Sequence, residues 1–123
     1  MCTDAECFER DGAIVIRNLI SKSHIELLRE GVARNLKDPG PFASSNEKEG
    51  ESGLFHDDYC NWTRIPEFQQ VLAESPLAET AAQLMKSETS QFFHDHVLVK
   101  ERGTTMVTPW HSDGPYYFVG GRQ

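Results

Sequence analysis

The chain has 123 residues, 38% of them hydrophobic and 25% charged, an ordinary globular composition with material for one domain at most. Twelve basic residues against nineteen acidic ones leave a net charge of −7, which argues against nucleic acid or an anionic membrane surface as a partner. No apolar run approaches the roughly 20 residues that span a bilayer, and Asp4, Glu6 and Glu9 precede any basic residue, unlike a secretory signal.

Residues 4–11 read as a short helix that stops at Asp11-Gly12. Ala13 to Ile16 is a short apolar run of β-branched residues, which predicts a buried strand. Asn18 to Ser21 turns the chain. Ser23-His24-Ile25-Glu26 has the form of a capping box, and behind it Ile25, Leu28, Val32 and Leu36 mark one face of an amphipathic helix. Asp38-Pro39-Gly40-Pro41 ends that helix.

Residues 42–57 are polar and read as a loop or as a lid over a substrate. Ile65-Pro66 starts a short helix to about Ala73. Ser75-Pro76 caps a second one, with Leu77, Ala81 and Leu84 on its apolar face. From Gln91 to Glu101 the period changes to two. Asp95, Val97 and Val99 share one face; His94, His96, Leu98 and Lys100 share the other. Arg102 to Thr105 turns, and 107–113 is expected to return as an adjacent antiparallel strand. The fold class is α+β.

Cys2, Cys7 and Cys60 form an odd, scattered set. They suggest reduced thiols in a cytoplasmic protein and not a disulfide framework. A metal or redox pair of Cys2 and Cys7 is the minor reading, because its spacing has no partner pair.

The chemistry-bearing motif lies in Thr108-Pro109-Trp110-His111-Ser112-Asp113. In an extended segment, positions i and i+2 project from the same face. His111 and Asp113 would then supply two members of a 2-His-1-carboxylate triad, the ligand set of non-haem Fe(II) oxygenases. Spacing alone is weak: chance gives about 0.3 His-x-Asp pairs in such a chain. His56-Asp57-Asp58 fits it too. That second pair sits among Glu, Gly and Asp and reads as a solvated loop. His111 stands between Trp110 and two tyrosines, in surroundings that favour partial burial.

Several segments together resemble the phytanoyl-CoA dioxygenase family: Phe8 to Ile20, Phe92 to Glu101, Gly103-Thr104, and Thr108 to Asp113. The resemblance implies an Fe(II)- and 2-oxoglutarate-dependent oxygenase that hydroxylates a small-molecule substrate. It implies N-terminal helices packed on the first strands of a double-stranded β-helix, or jelly roll, here incomplete. It carries His111 and Asp113 over as metal ligands, with His96 and Lys100 facing the 2-oxoglutarate and substrate pocket. Trp110, Tyr116 and Tyr117 are expected to pack around the site.

No histidine follows His111, and Arg122 is too close to Asp113 to serve as the family's 2-oxoglutarate arginine. The expectation is a single, C-terminally truncated domain over 1–123. Its 1–90 part is mostly helical with a first strand, and 91–123 carries the first metal-bearing strands. Such a chain is expected to be inactive alone. It would need the missing C-terminal half, or another chain at its exposed sheet edge. One alternative is a non-catalytic fragment or partner-binding module; the other is a cupin-like metal site that uses His94 and His96.

Overall fold

The structure, a computed structural model, describes residues 2–45, 50, 52–117 and 120. Helix α1 (Asp4–Asp11) starts from a reciprocal cap. Thr3 Oγ1 accepts the Glu6 N–H at 3.3 Å, and the Glu6 carboxylate accepts the Thr3 N–H at 2.8 Å. The helix stops at Gly12, which adopts a left-handed conformation with φ 73°. Cys2 and Cys7 are joined in a disulfide with their Cα atoms 5.8 Å apart. This corrects the expectation of three reduced thiols. The cap folds residue 2 back over the first helical turn, within the separation a bridge requires. Cys60 is free and exposed.

The strand expected at Ala13–Ile16 is not formed, and Val15 is 76% exposed. β-Branched residues favour extended backbone, but a strand also needs a neighbour to complete its hydrogen bonds. Helix α2 (Lys22–Lys37) is capped two residues earlier than expected. Ser21, not Ser23, accepts the His24 N–H, at 3.1 Å. Its inward face runs through Leu28, Gly31, Val32 and Asn35. Gly31 and Asn35 are fully covered, while Ile25 is exposed. Gly31 is required by closeness: a Cβ there would lie 2.4 Å from Phe68 Cε1.

Phe68 belongs to helix α3 (Pro66–Glu74), which starts with proline at its first position, as expected. Helix α4 (Leu77–Leu84) follows. Ser75 ends α3 and does not cap α4, whose N-cap position is Pro76. Ile65, Phe68 and Val97 form the core, with Leu28, Val32 and Val99 packed against it. A bidentate pair clamps α2 to α3: Arg34 Nε lies 3.1 Å and Nη2 2.6 Å from the Glu67 carboxylate. At the other end of the molecule α1 lies against α4, where Lys86 pairs with Glu9.

Three short strands form an antiparallel sheet in the order β1 (Ser44–Ser45), β2 (Phe55–Tyr59), β3 (His96–Lys100). The polar segment at 42–57 therefore contributes β1 and the start of the central strand. Residues 46–49 and 51 lie outside the described ones. The strand expected at 107–113 is absent; that stretch is irregular, and β3 pairs with β2 instead. Mixed helices and antiparallel strands make this an α+β fold. Among the described residues no helix is long and apolar enough to cross a membrane.

Candidate active-site cleft

The β2–β3 register sorts this sheet's side chains. Phe55 faces Lys100, His56 faces Val99, Asp57 faces Leu98, Asp58 faces Val97 and Tyr59 faces His96. Alternation then sends His56, Asp58, Val97 and Val99 toward the helices. Phe55, Asp57, Tyr59, Leu98 and His96 project to the other side. The split of β3 into a Val97/Val99 face and a His96/Leu98/Lys100 face is the one its sequence predicts. The solvated-loop reading of His56-Asp57-Asp58 is overturned: His56 and Asp58 are buried.

Burial of those polar groups is possible because every one finds a partner. Asp58 accepts hydrogen bonds from Asn35 Nδ2 and from the Gly40 N–H, both at 2.7 Å, and from the Tyr59 N–H at 2.9 Å. The Asn35 amide oxygen lies 3.1 Å from His56 Nε2. Arg64 donates to Asn61 Oδ1 at 3.0 Å and to the Asp38 carboxylate and carbonyl at 2.7 Å. A Cβ on Gly40 would lie 2.5 Å from Asn61 Oδ1 and 3.0 Å from Asp58 Oδ2, so only glycine lets the backbone reach the carboxylate. Burial pushes the Asp58 carboxyl up, but the hydrogen bonds from Asn35, Gly40, Asn61 and Tyr59 outweigh it and hold it below the usual range. The network pins the 38–41 turn beneath β2.

On the opposite face lies a cleft of about 760 Å³ between the sheet and residues 106–117. Tyr59 and His96 stack on its floor, ring centroids 4.0 Å apart and planes inclined by 19°. Burial, and then the negative charge of Asp57, pushes the Tyr59 hydroxyl upward. His111 and Asp113 stand on the facing wall. Their side chains meet, His111 Nε2 lying 3.3 Å from Asp113 Oδ1. Irregular backbone, and not a strand, carries the pair, and a turn follows it in which the Tyr116 N–H donates to the Asp113 carbonyl at 2.9 Å. The His111 Nδ1 lies 2.8 Å from the Pro109 carbonyl. Since a carbonyl only accepts, Nδ1 carries the proton in that contact, and Nε2 is the nitrogen that faces Asp113.

A family model described as phytanoyl-CoA dioxygenase matches residues 8–123. The chain belongs to the phytanoyl-CoA dioxygenase family. No curated protein and no solved structure matches it.

Within that family frame, the donor set can be tested for its fit to a divalent metal. Two ligands bonded at ~2.1 Å and at right angles to each other lie about 3 Å apart. The 3.3 Å between His111 Nε2 and Asp113 Oδ1 meets that spacing, with an imidazole nitrogen and a carboxylate oxygen as the donor atoms. His96 lines the same cleft. Lys100 shares its strand face but places Nζ 4.6 Å from the Phe55 ring centroid, at the cleft's margin.

His94 does not line the cleft. It lies against Tyr117, with ring centroids 5.1 Å apart. Among the described residues no three His, Cys, Asp or Glu side chains are grouped to hold a metal, so the cupin-like site on His94 and His96 is not assembled. Of the three aromatic residues expected around the site, Tyr116 stands edge-on to His111, with centroids 6.0 Å apart, and Tyr117 packs on Phe93. Trp110 is fully exposed. The sequence reading missed Phe55, Asp57 and Tyr59, whose only local signal was an aromatic residue at each end of a polar run.

Proposed function

We propose that the chain carries the Fe(II)-binding part of a 2-oxoglutarate-dependent oxygenase acting on a small organic molecule. The observation that carries this reading is the His111–Asp113 pair, its imidazole held by Pro109 with Nε2 turned to the carboxylate. Fixing the tautomer through a backbone carbonyl is how metal-binding histidines are commonly oriented. When bound, Fe(II) with 2-oxoglutarate supplies O₂ activation for hydroxylation of a C–H bond.

The chain's own residues then have separate tasks. His111 and Asp113 would hold the metal. The stacked Tyr59 and His96 rings form the floor of the cleft. Lys100 supplies an ammonium at the cleft margin for a carboxylate of 2-oxoglutarate. The outer edge of β3 is where a further strand would extend the sheet toward a jelly roll.

The test is anaerobic titration with Fe(II) and 2-oxoglutarate, followed by the visible charge-transfer absorption of the ternary complex. Weak binding is expected, lost in His111→Ala and kept in His96→Ala. Two ligands fix the facial geometry poorly, so no succinate release under air is expected. Robust succinate release that is lost on His94→Ala or His96→Ala would replace this reading with a site completed from β3.

A further inference from the structure

We infer that Asp57 is a specificity residue and that the cleft selects a substrate bearing a protonated amine. The inference deepens the oxygenase reading and rests on it for the cleft's role as a substrate site. Asp57 projects from β2 between Phe55 and Tyr59, opposite Leu98, on the cleft-facing side of the sheet.

Among the described lining residues, the carboxylates are Asp57 and Asp113, and none is a lysine or arginine. A divalent metal at Asp113 offsets that charge. The Ser44 hydroxyl, on the neighbouring strand, donates to Asp57 Oδ1 at 2.7 Å. That bond orients the carboxylate but does not neutralise it. Asp57 is half-buried between two aromatic residues, a setting in which a cation adds favourable charge pairing.

The flanking rings strengthen the case. Phe55 and Tyr59 flank Asp57 on the same side of the sheet, and aromatic rings attract cations. Phe55 already does so with Lys100 Nζ, 4.6 Å from its centroid on this same sheet face. An ammonium at Asp57 would gain a charge-assisted hydrogen bond and ring contacts together. A carboxylate there would meet like charge. The apolar remainder of the wall, with Leu98, Met106, Val107 and Pro109, suits an aliphatic body behind the amine.

The experiment compares three probes of one shape: hexylammonium, hexan-1-ol and hexanoate, titrated into the metal-free 123-residue chain by calorimetry. Hexylammonium is expected to bind at least ~10-fold more tightly than the other two. That preference should disappear in Asp57→Asn and persist in Asp113→Asn. A tighter hexanoate, a preference unchanged in Asp57→Asn, a preference lost in Asp113→Asn, or no binding by any probe would overturn the inference. Fe(II) titration of the same samples keeps the two readings apart. Amine preference without a metal site sinks the oxygenase reading alone, and a metal site without amine preference sinks this inference alone.

Discussion

The Gly40 N–H donates to Asp58 Oδ2 across 2.7 Å, where no side chain on residue 40 would fit. This contact ties the turn after α2 to the central strand of the sheet, and the strand in turn floors the cleft. Asp58→Ala removes the acceptor and strands the Asn35 and Gly40 donors in a buried site. The expected cost is about 3 kcal/mol. Urea denaturation should report it as a lower midpoint with an unchanged slope.

The same carboxylate makes stability depend on pH. The folded Asp58 carboxyl is held below its ordinary value, and an unfolded aspartate titrates near ~3.9. Between those two values the unfolded chain binds more protons, so stability rises with pH. The stabilisation is complete above the unfolded value and is lost as pH falls through the folded one. Urea midpoints taken from neutral pH downward should drop below about pH 4 in the native protein. The drop should be shallower in Asp58→Asn. Equal slopes would show that Asp58 is not the titrating group.

Gly31 tests the α2–α3 packing. Alanine would add about 1 kcal/mol of helix propensity. It would also place Cβ 2.4 Å from Phe68 Cε1, and overpacking costs about 1–3 kcal/mol. The packing term wins, so Gly31→Ala should destabilise by about 1 kcal/mol. In a Phe68→Leu background the same change should be neutral or favourable, read from a double-mutant cycle in urea.

Reduction of Cys2–Cys7 should act locally. Closing so short a loop is worth about 2 kcal/mol by chain-entropy reasoning. Helix α1 packs on α4 and lies apart from the Ile65–Phe68–Val97 core. A reductant should therefore speed amide exchange over residues 4–11 and leave α2 and α3 protected. Exchange that accelerates throughout the chain would contradict this division.

Features set by local chemistry were legible in the sequence. Helix α1 and its Gly12 stop, proline opening α3, and the two faces of β3 each follow from a few neighbouring residues. Strand β2 was not legible, because Phe-His-Asp-Asp-Tyr looks solvated. His56 and Asp58 are buried there because Asn35 and Gly40, distant in sequence, satisfy them. Periodicity carries no trace of such partners. Ala13–Ile16 fails for the opposite reason: local propensity is present and a pairing neighbour is not. The His111–Asp113 pair was visible from its spacing, yet irregular backbone followed by a turn carries it instead of the expected strand. The cleft around it needed the tertiary fold, since Asp57 and Tyr59 reach it from more than fifty residues away in sequence.

The central claim is that His111 and Asp113 share one divalent metal ion. Co(II) titration followed by its visible d–d absorption measures this most directly, with no turnover required. The account predicts a saturable absorption change in the native chain that is lost in both His111→Ala and Asp113→Asn. A native spectrum and affinity that survive unchanged in either variant would contradict it.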